Sequence, residues 1–245
     1  MSLDFRLAAL FILALFAGCT AVQPLDENTD TAIVSFDEPA PAKREPPKLF
    51  PEIEQRLRPL ATAMPKPGPS DWLAQHKEAG QTFDKYVASQ PVRKSERRDR
   101  IYLCLIGEFS KEQEQVLTIT SEYLAVVFQV PVEVREKLSL DKIPERAKRK
   151  HPTWGDQQVL STYVLEEVLQ PNRPKNALAY IAFTSSDLWP GEGWNFVFGQ
   201  ASLSNRVGVW SIYRDGNPAK SADDFHLCLS RTMKTASHET GHILG

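Results

Sequence analysis

His238, Glu239 and His242 are residues whose types and spacing could hold a metal ion and put a water to work beside it. Residues four apart on a helix lie on one face, one turn above the other. Two imidazoles so placed can both reach one Zn²⁺ at ~2.0–2.1 Å. Glu239 does not ligate in this arrangement. It lies beside the metal, where it can serve as general base on a zinc-bound water that attacks a peptide carbonyl, and then pass the proton on. Gly245 is the third residue after His242, so the stretch reads H-E-x-x-H-x-x-G. A glycine there lets a helix break sharply, although glycine is also an ordinary helix cap.

Such a helix needs a sheet to lie on, and the preceding chain provides one. "SADDFHLCLSRTMKTASHETGHILG" reads as the helix itself, capped by Ser221 or Asp223, with Phe225, Leu229, Met233, Ala236 and Ile243 facing inward. Upstream, "RIYLCLIG" (Arg100 to Gly107) is a continuous apolar run, as a strand covered on both faces requires. "SKEQEQVLTITSEYLAVVF" follows as a helix capped by Ser110, with Val116, Ile119, Tyr123, Leu124, Val127 and Phe128 as its apolar stripe. "QVPVEVRE" reads as a second strand, and "GDQQVLSTYVLEEVLQ" as a second helix stopped by Pro171. "NALAYIAFTSSDLW" reads as a third strand. "WNFVFGQAS" and "RVGVWSIYR" are two more, joined through Leu203-Ser204-Asn205. This order predicts an α/β domain with a mixed sheet, parallel at first and with an antiparallel edge strand, packed against helices.

The rest of the chain sets the context. Its 245 residues are 42% apolar, enough for one sizeable core plus extensions. The net charge of −2 implies no large field of one sign and argues against nucleic acid as a partner. The short basic cluster "RKSERRDR" reads as a solvated approach to a strand. Residues 1–18 have one early Arg6 and the apolar run Leu7 to Phe16, the length of a signal-peptide core. Ala17-Gly18-Cys19 resembles the lipobox of bacterial lipoproteins, which makes Cys19 the expected lipidated N-terminus and membrane anchor. Residues 19–70 read as a proline-rich tether, and the compact domain is expected over 71–245, opening with two short helices around Gly80. Cys104 and Cys228 are two thiols and no disulfide framework, and both read as buried.

"SDLWPGEGWNFVFGQASLSNRVGVWSIYR" followed by "SHETGHILG" resembles the archaemetzincins, and "DWLAQHKEAGQTF" and "RIYLCLIGEF" resemble that family's upstream segments. The resemblance implies a metzincin-like fold and a zinc metallopeptidase, cutting peptides internally or acting as an aminopeptidase. His238 and His242 take the family's first two ligand positions and Glu239 its catalytic position. The family's third histidine is expected three residues after Gly245. A cysteine-rich stretch with a second, structural zinc follows it. The expectation is therefore a C-terminally truncated chain, with one catalytic Zn²⁺ incompletely held and little activity of its own. The lipobox and tether are not part of the family pattern. They imply a member anchored in the bacterial cell envelope, at the outer membrane or periplasmic face, as Thr20 after Cys19 suggests.

Metzincin-like sheets offer an edge strand to which an extended peptide can add. Val197, Phe198, Gly199, Gln200 and Ala201 are the candidates here, the other reading being that they fill the covered face of the sheet. Trp189, Trp194 and Trp210 could line a pocket or sit in the core. His226 is too far along the helix to ligate, and His76 and His151 read as surface residues. Two functional alternatives stay open: an inactive peptide-binding surface lipoprotein with an incomplete zinc site, and a different class of zinc peptidase.

Overall fold

The structure is a computed structural model. It describes residues 52, 55–56, 58–60, 62, 65–69, 71–75 and 80–245. Residues 1–18, read above as a signal, together with Cys19, His76 and the first part of the stretch read as a tether, lie outside the described residues. Contacts separate residues 23–90 from residues 91–245. In the first unit, the two short helices expected around Gly80 are α1, Trp72–Gln75, and α2, Phe83–Ala88, the latter capped by Thr82. Among the described residues no helix is long and apolar enough to cross a membrane.

The second unit is built on a five-stranded sheet. Its strands are β1 (Arg100–Ile106), β2 (Val132–Leu138), β5 (Ala177–Thr184), β8 (Val207–Ser211) and β7 (Gly199–Ser202), in the order β2-β1-β5-β8-β7. The first four run parallel and β7 is antiparallel to β8. The fold is thus the mixed α/β arrangement expected, with β7 at one edge. The helix α3, Lys111–Phe128, makes the crossover from β1 to β2. Its cap is a full capping box between Ser110 and Gln113.

Strand alternation splits the interior into two layers. Ile101, Leu103, Leu105, Ile181 and Phe183 face one side, with Leu117, Leu124, Ala236 and Ile243 from helices laid on it. Cys104, Ile106, Tyr180 and Ala182 face the other, against Leu165 and Leu169. Every residue of β5 is buried, which is why its run carries no polar alternation. Cys104 and Cys228 are both free and buried, and burial pushes the Cys104 thiol up to about 12.

Several expectations need correction. The buried stripe of α3 is Val116, Leu117, Thr120 and Leu124, while Ile119, Tyr123, Val127 and Phe128 are only partly covered. The stretch read as one helix from Gly155 onward begins as a strand, β4 (Gln157–Leu160). It pairs antiparallel to β3 (Lys148–Lys150) and parallel to β6 (Asp187–Trp189) in a second, three-stranded sheet. Long-range pairing overrides the local helical spacing there. The helix α4 spans only 161–172, and Pro171 lies inside it instead of stopping it. Its middle widens to a π-helix over Val164–Leu169, where Gln170 N–H donates to the Leu165 carbonyl five residues back. The run through "TSSDLW" also breaks at Ser185, because β6 leaves the main sheet for the smaller one.

The last helix is α5, Ala222–Leu244. Ser221 caps it, accepting from Asp224 N–H at 3.1 Å, with Asp223 and Asp224 favourably placed in the first turn. Its buried face is Cys228, Thr232, Thr235, Ala236, Glu239, Thr240 and Ile243. Phe225, Leu229 and Met233 are only partly buried, so the inward face is narrower and more polar than the apolar spacing predicted. Small and hydroxylated residues let α5 lie close, and Thr240 satisfies its own hydroxyl by donating to the Ala236 carbonyl at 2.7 Å.

Beneath α5, Asp215 is 2% exposed and accepts from Thr232 Oγ1 at 2.9 Å. Burial raises its pKa from 3.8 to about 6, against the lowering effects of Thr232 and Arg231. The folded chain therefore holds a proton there that the unfolded chain has released. The stabilisation is complete below 3.8 and is lost as pH rises through about 6. Asp215→Asn keeps an acceptor for Thr232 and removes the charge. It is expected to raise stability at pH 7 by roughly 1–3 kcal/mol and to leave it nearly unchanged at pH 4. Thermal melts of both proteins across that range check this, and equal gains at the two pH values would sink it.

Candidate metal and active site

The terminal turns of α5 place His238 and His242 side by side. Their Nε2 atoms are 3.0 Å apart, and the rings meet edge to face with centroids 4.6 Å apart. Nitrogens bound to a tetrahedral ion at ~2.05 Å stand ~3.3 Å apart, so the observed spacing needs only a few tenths of an ångström of adjustment. Both rings bring the same nitrogen, Nε2, to this short separation, which fits a shared ion. Desolvation pushes the His238 pKa below its ordinary value, with His242 as the second cause, although one side of the residue stays open to solvent. A neutral imidazole is the form that ligates.

Glu239, one residue on, turns about 100° around the helix and faces the sheet. It is 1% exposed. Gly199 of β7 lies directly against it: a Cβ at that position would stand 3.2 Å from Glu239 Cγ, 3.2 Å from the Val209 carbonyl oxygen and 3.3 Å from Trp210 Cε3. The glycine lets strand and helix approach this closely. Glu239 thus sits at the junction of the helix that carries the two histidines and the strand at the sheet's edge.

The segment Val197 to Ala201 runs into that edge strand. Val197 is buried and donates its N–H to the Leu188 carbonyl at 3.0 Å. The Phe198 carbonyl accepts from Ser211 N–H at 2.8 Å. Gln200 turns to the opposite face and accepts from Ser161 Oγ at 2.5 Å, while Ala201 joins the layer under α5. These residues are therefore both edge strand and partly covered interior. The three tryptophans do not share one role. Trp210 is core, Trp189 lies under the Arg149 guanidinium at 4.1 Å, and Trp194 is exposed.

His226 is exposed more than three turns before His238, as expected. His151 corrects its surface reading. It is 2% exposed, stacks on Trp154 at 3.4 Å, and accepts at Nδ1 from the backbone N–H groups of Thr153 and Trp154. It closes the tight turn between β3 and β4. Sequence reasoning also missed the buried carboxylate Asp187, held by Arg214. The two lie 27 residues apart in sequence, and no local pattern joins them. Among the described residues, no group of three or more His, Cys, Asp or Glu is placed to hold one ion.

No family model matches the chain. Individual relatives do. Archaemetzincin-2 of Homo sapiens is 29% identical over 209 residues, covering 72% of this chain, and the chain spans only 57% of that relative's length. An archaemetzincin of Thermococcus kodakarensis is 37% identical over 93 residues, with 36% of this chain and 47% of that protein covered. A crystal structure of archaemetzincin from Methanopyrus kandleri aligns at a TM-score of 0.48 with 23% identity, over 61% of this chain and 75% of that one. In sequence, the Methanopyrus kandleri archaemetzincin is 31% identical over 145 residues, with 58% of this chain and 74% of that protein covered. On that shared sequence, the chain belongs to the archaemetzincin family.

Proposed function

We propose that this chain carries the zinc-binding helix and substrate edge of a metallopeptidase, with Glu239 as its general base. One observation carries the reading: two Nε2 atoms stand 3.0 Å apart on a helix whose Glu239, adjacent to them in sequence, is buried and packs its side chain against Gly199 of the edge strand. When bound, zinc would lower the pKa of a water towards 7 and polarise a carbonyl. His238 and His242 supply two of the three protein ligands that a catalytic zinc requires. Glu239 takes the proton of the attacking water and returns it to the leaving amine. The strand β7 accepts an extended peptide alongside it, with main-chain hydrogen bonds fixing the scissile bond near Glu239. Gly199 is the point at which the strand and the Glu239 side chain come together.

Zinc titration tests the metal half of the proposal. The chain is expected to bind one zinc, weakly enough for a mild chelator to remove it, and His238→Ala or His242→Ala should abolish that binding. Binding unaffected by either substitution would remove the site. The peptide half is tested by incubating the zinc-loaded chain with a mixed peptide library and reading cleavage and capture separately. Capture on the edge strand without product would select the inactive peptide-binding reading instead.

A further inference from the structure

We propose that Asp187 and Arg214 are positioning residues for the edge strand that lies over Glu239, a role that rests on the peptidase reading above. The segment 194–198 leads into β7, and the contacts that hold it converge on one buried carboxylate. Asp187 is 0% exposed and receives a two-pronged Arg214 guanidinium, Nε to Oδ1 at 2.8 Å and Nη2 to Oδ2 at 2.7 Å. Gln158 Nε2 adds a third bond to Oδ2 at 2.7 Å, and the same nitrogen reaches the Asn195 carbonyl at 2.8 Å. Arg149 donates to the Gln158 side chain at 2.8 Å and to the Trp194 and Asn195 carbonyls at 2.8 and 3.1 Å.

The Arg214 guanidinium also stacks over the Phe196 ring at 3.6 Å, and Phe196 meets Phe198 edge-on at 5.6 Å. Asp187 also begins β6, whose Leu188 carbonyl accepts from Val197 N–H. The backbone at 195 and 197 and the ring at 196 are therefore fixed through Asp187, its strand neighbour Leu188 or its immediate partners Gln158 and Arg214, and the Trp194 carbonyl one step further out through Arg149. Beyond them the chain has only to pass Phe198 before Gly199 touches Glu239. A planar fork is needed at 214, because it binds the carboxylate in two places while stacking on an aromatic face. The ion pair thus sets the height and register of β7 over Glu239 without itself touching substrate.

The test is hydrogen exchange on the full chain, with Asp187→Asn and with Arg214→Lys as a milder variant that keeps the charge. Exchange in residues 194–201 is expected to accelerate at least ~10-fold in Asp187→Asn and less in Arg214→Lys, with β1 and α3 unchanged. Affinity of the zinc-free chain for an extended peptide should fall in the same order, while zinc affinity holds. Where cleavage is measured, kcat should fall ~10- to 100-fold with a smaller change in KM. Unchanged exchange at 194–201 in either folded variant would overturn the proposal. So would an acceleration spread evenly over the sheet, which marks a merely stabilising ion pair. If the parent chain cleaves no peptide, the peptidase reading fails on its own and the exchange pattern still decides this one.

Discussion

Glu239→Gln is expected to lower kcat on any peptide that the zinc-loaded protein cleaves by ~10²–10⁴, with zinc content unchanged. The substitution is isosteric, so the Cγ that lies against Gly199 stays where it is and β7 is not displaced. The histidine pair, one residue before and three after, keeps its geometry. Only the ability to accept a proton and give it back is removed. The result to compare is kcat beside metal content, measured on the same preparation. Undiminished turnover would mean that Glu239 is a structural carboxylate and that the base lies elsewhere. Lost zinc together with lost turnover would mean that its burial supports the helix and not the chemistry.

Gly208→Ala is expected to be among the most damaging single substitutions in the chain. Gly208 sits in β8 on the face covered by α5, and the Trp210 ring folds back across it. A Cβ there would stand 2.3 Å from Trp210 Cζ3, 2.4 Å from Cη2 and 3.1 Å from Ile243 Cδ1. The ring has nowhere to go. Trp210 is 1% exposed and held edge-on by Phe183 at 6.3 Å. Overpacking of this kind costs about 1–3 kcal/mol, and here the upper end is expected. In a domain of this size that lowers Tm by several degrees. Because Ile243 and Glu239 share a helix face, relief by pushing α5 outward should weaken zinc binding as well. A second substitution, Trp210→Leu, removes the obstruction, so the double variant should lose less than the sum of the two singles. Equal melting points for Gly208→Ala and the parent would refute the clash.

What could be read in advance follows from where the information lies. The placement of His238, Glu239 and His242 on one helix, with the two imidazoles side by side, was legible because it depends only on local spacing. The strands β1, β5 and β8 were legible as apolar runs, and the Ser110 and Ser221 caps as local signatures. The second sheet was not. Its strand β4 is four residues long, and its partners stand nine residues before it and 29 after, so pairing alone decides its state. The close packing of α5 was misread for a related reason. Amphipathic spacing favoured Phe225, Leu229 and Met233, whereas the helix presents its small and polar side to a glycine-bearing sheet. Asp187 and His151 escaped because a buried polar residue is recognised by its partners, which the local sequence does not show.

The strand order has a consequence in time. The central strand β5 is flanked by β1, which precedes it by 70 residues or so, and by β8, which follows it. The helix that covers one of its faces comes later still, ending at Leu244. At ~5–20 residues per second, a ribosome needs roughly 3–12 seconds to make the stretch from Thr184 to Leu244. For those seconds β5, every residue of which is buried in the fold, is synthesised but lacks one neighbour and one cover. A nascent chain of this topology depends on whatever shields β5 until β8 and α5 arrive.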